Sequence, residues 1–515
     1  MPTSMPAASP ASNLTTVPSV VPQPTQLEVL AGDGVTLTPE SRIVVPANRP
    51  DATAVARYLA GVLRASTGYP LPIQTGAGPS GPAIVFELSG HSGLGPEGYT
   101  LRSDGERVTL TAATAEGLFR GAQTLRQLLP ASVEATERRP GPWRIPAVNV
   151  TDTPRFRYRG MMLDVARHFF PVADVKRVID LVALYKVNVL HLHLSDDQGW
   201  RIAIDSRPKL ATEGGRTQVG GGRGGYYTPQ QYAEIVAYAA DRYVTVVPEI
   251  DSPGHTNAAL VAYPELNGGD APPRPYTGTE VGFSTVATDR EATYEFFDDV
   301  WREIAAATPG PYVHIGGDEA HATQPTDYVG FLKRLFPIPE KYGKRVIGWQ
   351  EIAAAPLPEA AVVQCWNSQD ARAADLARTA VEQGARLVLS PADRAYLDMK
   401  YHPGCPYGLH WAGYVPLRQA YDWDPAALVP GVGEDAILGV EAPLWTETVT
   451  DRAAIEFMTF PRLAAIAEVG WSVRREWESF RARLAGHGPR WEAMGVRYFP
   501  APEVSWHAPT TGSSD

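Results

Sequence analysis

The chain has 515 residues, enough for about three domains, although α/β barrels run large as single units. Hydrophobic residues at 44% and charged residues at 20% describe a globular protein able to bury a large core. A net charge of −11 argues against nucleic acid or an anionic membrane as partner, and no run of about 18 apolar residues is present to cross a bilayer.

Residues 1–25 are rich in Pro, Ser, Thr and Ala, without a basic or an apolar region of the secretion-signal kind. They predict a disordered leader and leave localisation open. Residues 26–152 read as a small α+β unit. "YTLRSD" and "RVTLTAA" alternate apolar and polar residues around the turn Asp104-Gly105, and Leu118, Phe119, Ala122, Leu125 and Leu129 follow at helical spacing. The Pro-rich "RRPGPWRIP" then leads to a new unit near Thr153-Pro154.

From residue 153 to about 500 the pattern becomes short apolar runs that end in polar or aromatic residues: "GMMLDV", "VNVLHLHLSDD", "VTVVPEID", "YVHIGGDE", "RVIGWQE", "VVQCWN", "RLVLSP" and "ILGVEAPLW". Helical stripes separate several of them, such as Val175, Val178, Ile179 and Val182, or Phe297, Val300, Trp301 and Ile304. Thr228-Pro229-Gln230-Gln231 has the form of a capped helix start, and Gly384 that of a helix stop. The connections after "GWQE" and "VVQCWN" are less helical, with "AAAPLPEAAV" short enough to replace a full helix. Pro461 predicts a kink or a late start in the last helical pattern. Eight buried strands with intervening helices predict a (β/α)₈ barrel preceded by the α+β unit, with 501–515 as a tail.

The active site of such a barrel lies at the C-terminal ends of its strands. Those ends supply Asp164, Arg167, His168, Asp196, Asp197, Glu249, Asp251, His255, Asp318, Glu319, Trp349, Glu351, Trp366, Tyr396, Asp398, Glu441, Trp445 and Glu447. Singly, each has an ordinary structural explanation. Gathered at one rim, tryptophans interleaved with carboxylates suit a sugar, whose CH faces stack on indole and whose hydroxyls bond to Asp, Glu and Arg. His191 and His193 on one strand face read as satisfied core histidines. As metal ligands they would need a third donor and an open position, so no metal or other cofactor is expected. Of the two cysteines, Cys365 lies in an apolar run and reads as a buried free thiol; pairing with Cys405 stays open.

"RGMMLDVARHFFP", "LHLHLSDDQGWR", "VPEIDSPGH", "HIGGDEA", "GWQE" and "APLWTE" together resemble the β-N-acetylhexosaminidases of glycoside hydrolase family 20, over most of residues 154–475. "EGYTL" and "GLFRGAQTLRQLL" resemble the small domain that precedes their barrel. The resemblance implies an exo-acting, retaining enzyme in which the substrate's 2-acetamido oxygen is the nucleophile. Glu319 is then the general acid and base, Asp318 orients the acetamido group, and Tyr396 donates to its carbonyl oxygen. An ionised Asp318 is expected to keep Glu319 protonated. Arg167 and Glu447 would bind the 3- and 4-hydroxyls and Asp398 the 6-hydroxyl. Trp349, Trp366 and Trp445 would wall the acetamido pocket, and Trp411 would border the leaving sugar. Asp196 and His255 would support Glu319. The glycine-rich "VGGGRGG" reads as a mobile loop near that rim. Two rival readings are a glycosidase using two protein carboxylates and a sugar-binding barrel without catalysis. The partner in the favoured reading is an N-acetylhexosaminide; epimer preference and oligomeric state are open.

Overall fold

Period-two alternation makes Tyr99–Asp104 and Arg107–Ala112 an antiparallel pair, turned at Gly105 with φ +62°. In the computed structural model, which describes residues 18–76, 81–90, 93–268 and 273–506, they lie inside a seven-stranded mixed sheet. Helix Ala115–Leu128 is buried almost all round because it sits between this sheet and the barrel. On the barrel side, Arg120 donates to the carbonyl of Tyr243 (2.8 Å) and Gln127 to that of Leu184 (3.0 Å).

The expectation of a disordered leader through residue 25 fails for its described part. Val20 and Val21 are buried, and the Gln127 amide exchanges two 2.8 Å hydrogen bonds with the backbone of Val21. Arg483 donates to the carbonyl of Val20 at 2.7 Å. Composition hid this because valines among prolines give no periodic signal, and the segment's hydrogen-bond partners lie far away in sequence. Part of the expected tail is packed as well: Ala501 is buried, and the Trp506 ring stands 5.7 Å from that of Trp491. Residues 1–17 and 507–515 lie outside the described residues.

All eight apolar runs form strands: β1 (Tyr158–Asp164), β2 (Val189–His193), β3 (Thr245–Glu249), β4 (Tyr312–His314), β5 (Arg345–Trp349), β6 (Val362–Cys365), β7 (Arg386–Leu389) and β8 (Ile437–Leu444). They close in chain order into a parallel barrel, with β8 paired to β1. The connecting helices are α1 (Val172–Leu184), α2 (Pro229–Ala240), α3 (Glu291–Ala307), α4 (Pro325–Leu335), α5 (Ala371–Glu382), α6 (Arg452–Thr459) and α7 (Arg462–Trp471), with shorter segments between.

Thr228 and Gln231 form the expected capping box at the start of α2. Between β5 and β6 only the 3₁₀ turn Gln350–Ala354 occurs, since Pro356 and Pro358 remove the donors a helix needs. The connection after β6, in contrast, is the full helix α5. Its buried stripe is Ala373, Ala377 and Ala380, a weak apolar signal in sequence. Pro461 separates α6 from α7. Cys365 and Cys405 are both buried and free.

Candidate active site

The loop after β4 shows how neighbouring acids come to act together. A Cβ at Gly316 would stand 1.6 Å from Asp251 Oδ1, so only glycine can pass there, with φ +73°; Gly317 follows at φ +105°. Glu319 itself is left-handed at φ +44°, a costly conformation for a residue with a side chain. This turn brings both carboxylates to one imidazole. His255 Nε2 lies 3.5 Å from Glu319 Oε2 and 3.7 Å from Asp318 Oδ2.

Behind His255 runs a buried chain of alternating charge down the barrel axis. His255 Nδ1 meets Asp196 Oδ1 at 3.2 Å, and Asp196 Oδ2 meets Arg167 at 2.9 Å and His193 Nε2 at 2.8 Å. His193 Nδ1 reaches Glu249 at 2.5 Å, Glu249 faces His191 at 3.0 Å, and His191 Nδ1 meets Glu441 at 2.9 Å. The Tyr158 hydroxyl closes the chain by donating to Glu441 at 2.5 Å. A Cβ at Gly160 would stand 2.4 Å from Glu441 Oε2, so glycine makes room for that carboxylate.

These contacts set the charges. Burial works against the cationic form of His191 and His193, but their flanking carboxylates outweigh it and push them up to about 10 and about 9. His255 is likewise held well above its ordinary value: burial opposes, and Asp196, Asp318 and Asp251 prevail. Burial, with the charges of Glu319 and Glu249, pushes Asp318 up to about 6 against the pull of His255. Burial would also raise Glu319, yet the hydrogen bond and charge of His255 hold its carboxyl below the usual range. The expectation that Asp318 keeps Glu319 protonated is therefore reversed in this site. Asp318 is the more buried of the two, and Glu319 has the closer contact to the imidazolium.

The cavity above this pair measures about 250 Å³. Arg167, Asp318, Glu319, Trp366, Tyr396, Trp411, Trp445 and Glu447 line it. Trp411 is 55% exposed, with its ring edge-on to Trp366 (5.9 Å) and Tyr396 (5.8 Å). The Arg167 guanidinium lies 4.7 Å over the Trp445 ring. Asp318 Oδ1, Asp398 Oδ2, Glu447 Oε2 and Arg167 Nε are buried without a hydrogen-bond partner among the described residues. Each such group costs about 1–3 kcal/mol, a cost a ligand rich in hydroxyls offsets.

The family model for the catalytic domain of glycosyl hydrolase family 20 matches residues 156–328 and 323–474, and its domain 2 matches residues 17–153. The chain belongs to glycoside hydrolase family 20. It is 44% identical to the β-N-acetylhexosaminidase of Cellulomonas fimi, over 95% of this chain and 98% of that one. The family 20 β-N-acetylhexosaminidase of Streptomyces coelicolor superposes with a TM-score of 0.92 at 52% identity, covering 95% of this chain and 99% of that chain. A mutant Streptomyces plicatus β-hexosaminidase in complex with its product N-acetylglucosamine gives the same score and identity, over 95% and 98%.

Eight of the twelve expected site residues line the cavity, while Asp196, His255 and Asp398 stand behind it against Arg167, Glu319 and the Trp445 N–H. Trp349 differs. It has no exposed surface, donates to Glu249 at 2.9 Å, and stands 5.8 Å from Trp445, one layer behind the wall. Glu441, read from sequence as a rim residue, points into the barrel from the middle of β8 instead. Sequence reasoning missed Thr279, Val281 and Leu409, which also line the cavity, and two arginines that hold its loops. Arg201 donates to the carbonyls of Val165 (3.0 Å) and Ala166 (2.5 Å), ahead of Arg167. Arg462 donates to those of Leu397 (2.5 Å) and Met399 (2.6 Å), on either side of Asp398. Nothing local marks these arginines, because their partners are backbone carbonyls of other loops. The glycine-rich loop is tied near the rim through Val219, whose N–H donates to the carbonyl of Arg167 at 2.9 Å.

Several sets of three donors lie close enough together to hold a cation, including His191, Glu249 and His314, and His255, Asp318 and Glu319. In the first, Glu249 is already engaged by both rings. In the second, His255 is held in its protonated form, which has no lone pair to offer.

Proposed function

We propose that the chain is an exo-acting, retaining β-N-acetylhexosaminidase that works by substrate assistance. The observation that carries this reading is the approach of Asp318 and Glu319 to a single imidazole, at 3.7 and 3.5 Å. Two protein carboxylates that share a glycosidic bond must flank it, about 5–5.5 Å apart for retention and about 6.5–9.5 Å for inversion. The oxygens of Asp318 and Glu319 nearest that imidazole lie within 4.8 Å of each other, closer than such a flanking pair, which supports a nucleophile supplied by the substrate.

In this mechanism the 2-acetamido oxygen attacks the anomeric carbon while the bond to the leaving oxygen breaks. Glu319 gives that oxygen its proton. A sugar filling the pocket covers the Glu319 carboxyl, and loss of water raises it toward the protonated state. The oxazolinium that forms carries positive charge beside Asp318, which accepts the acetamido N–H. Burial, together with Asp318 and Asp398, keeps the Tyr396 hydroxyl protonated, ready to donate to the acetamido oxygen. Glu319 then takes a proton from water as the water attacks the anomeric carbon, and the β configuration is retained. Arg167, Glu447 and Asp398 accommodate the ring hydroxyls; Trp445 and Trp366 wall the acetamido pocket, with Trp349 bracing Trp445. Trp411 faces the leaving group. The names of the relatives support an N-acetylhexosaminide as substrate.

The test compares a chromogenic N-acetylglucosaminide with the corresponding glucoside and measures inhibition by a thiazoline analogue of the cyclised intermediate. Turnover of the N-acetyl substrate alone, with the thiazoline bound far more tightly than product, is expected. A stable adduct of a 2-fluoro glycoside on a protein carboxylate, with weak thiazoline binding, would overturn the mechanism. Binding of both sugars without turnover would leave only a sugar-binding barrel.

A further inference from the structure

At the opposite end of the barrel, the N-terminal mouth has a composition unlike the rest of the surface. Tyr158, Val189, Val247, Ile347, Val362, Val388 and Leu438 form an apolar layer that closes the barrel there. Side chains along a strand alternate, so residues two positions before an inward one also face inward. Arg345 precedes Ile347 in this way on β5, and Arg386 precedes Val388 on β7. Arg157 joins them from the residue ahead of β1. Together they line a cavity of about 480 Å³, with Thr245 and Tyr312 adding side-chain hydroxyls.

No aspartate or glutamate lines this cavity, and among the described residues none of the three guanidiniums has a hydrogen-bond or ion-pair partner. All three are solvent-exposed, whereas Arg155, two residues from Arg157, binds both Asp424 and Glu434 at 2.8 Å. Three planar donor forks above a low-dielectric floor concentrate positive potential in a concave space. The volume lies within the range of about 300–1,000 Å³ usual for small-ligand pockets.

We propose that the N-terminal mouth of the barrel binds a compact ligand carrying two or more phosphoryl groups, held by Arg157, Arg345 and Arg386. Guanidinium forks match tetrahedral oxyanions bidentately, and three forks spread around a mouth of about 480 Å³ offer donors to more than one phosphoryl group. The floor of apolar side chains limits the ligand to the mouth and separates it from the catalytic pocket at the other end of the barrel.

The experiment is calorimetric titration of the full chain with inorganic pyrophosphate at fixed ionic strength, with inorganic phosphate as comparison. Pyrophosphate should bind with one-to-one stoichiometry, more tightly than phosphate, and more weakly as sodium chloride is added. Arg345→Ala/Arg386→Ala should weaken it by about tenfold or more, and Arg345→Lys/Arg386→Lys, which keeps the charges but loses the forks, should fall between. Both variants should turn over a chromogenic N-acetylglucosaminide like the parent, which also shows that they fold. Absence of pyrophosphate binding at millimolar concentration, or binding that both variants leave unchanged, would overturn the proposal.

Discussion

At the scale of single residues, Asp318 is where stability and function pull in opposite directions. Burial pushes its carboxyl up from 3.8 to about 6, in the company of Asp251, Glu249, Glu319 and His255. A raised carboxyl contributes stability only while protonated; that contribution is full below 3.8 and is lost as pH rises through about 6. At pH 7.5, Asp318→Asn should therefore stabilise the fold by on the order of 1–3 kcal/mol, read as a higher thermal midpoint, and the gain should vanish near pH 4. The proposed mechanism needs the ionised form, so kcat/KM should fall as pH drops below about 6. The limb belongs to the coupled cluster, and in Asp318→Asn it should shift or disappear along with most of the activity. Glu319→Gln should instead lower turnover by roughly 10²–10⁴ for poor leaving groups and less for activated aryl ones. Differential scanning at two pH values and pH–rate profiles check these outcomes. A variant at Asp318 that is less stable at pH 7.5 would refute the charge assignment.

At the scale of elements, the loop after β4 and the start of α2 make a useful contrast. Gly316 has no space for a methyl group, because Asp251 Oδ1 occupies it. Gly316→Ala should displace the loop carrying Asp318 and Glu319, and activity should drop by about 10² or more even where the protein folds. Thr228→Ala removes the side-chain acceptor of the α2 capping box, and Thr228 does not line the cavity. It should cost about 1 kcal/mol in stability and leave kcat/KM unchanged. Measured side by side, the two variants separate the element that aims the chemistry from one that only holds the barrel wall.

At the scale of the whole molecule, the small domain is joined to the barrel through buried ion pairs. Lys186 and Asp152, both without exposed surface, meet at 2.8 Å, and Asp152 also accepts from Tyr99 (2.6 Å) and from Trp471 Nε1 (2.9 Å). Arg490 and Arg126 share Glu134 across the same boundary. Removing one partner leaves a charge buried alone, so Asp152→Asn should destabilise by about 3–5 kcal/mol. The matched replacement Asp152→Leu/Lys186→Met should recover much of that loss, since no lone charge remains. Denaturation midpoints followed by tryptophan fluorescence check both. A double variant no better than Asp152→Asn would mean that the pair gives packing or orientation beyond its charges.

The sequence by itself determined the barrel, because each strand is a local apolar run and each end is marked by the polar residues that follow it. It also marked the neighbourhood of the candidate site: "HIGGDEA" carries its own turn glycines, and most rim residues fall at strand ends by counting. Only the tertiary structure decided which carboxylate of the pair is the more readily protonated, since that depends on burial and on distances to His255 that no local pattern encodes. It likewise moved Glu441 from the rim to the barrel interior, where its partner His191 lies 250 residues away in the chain. Trp349 shifted for the same reason, as did the valines at 20 and 21. Apolar periodicity and backbone turns are short-range properties of a chain. Charge states, second layers of packing and the grip of Arg201 and Arg462 on distant carbonyls arise from contacts that exist only once the barrel has closed.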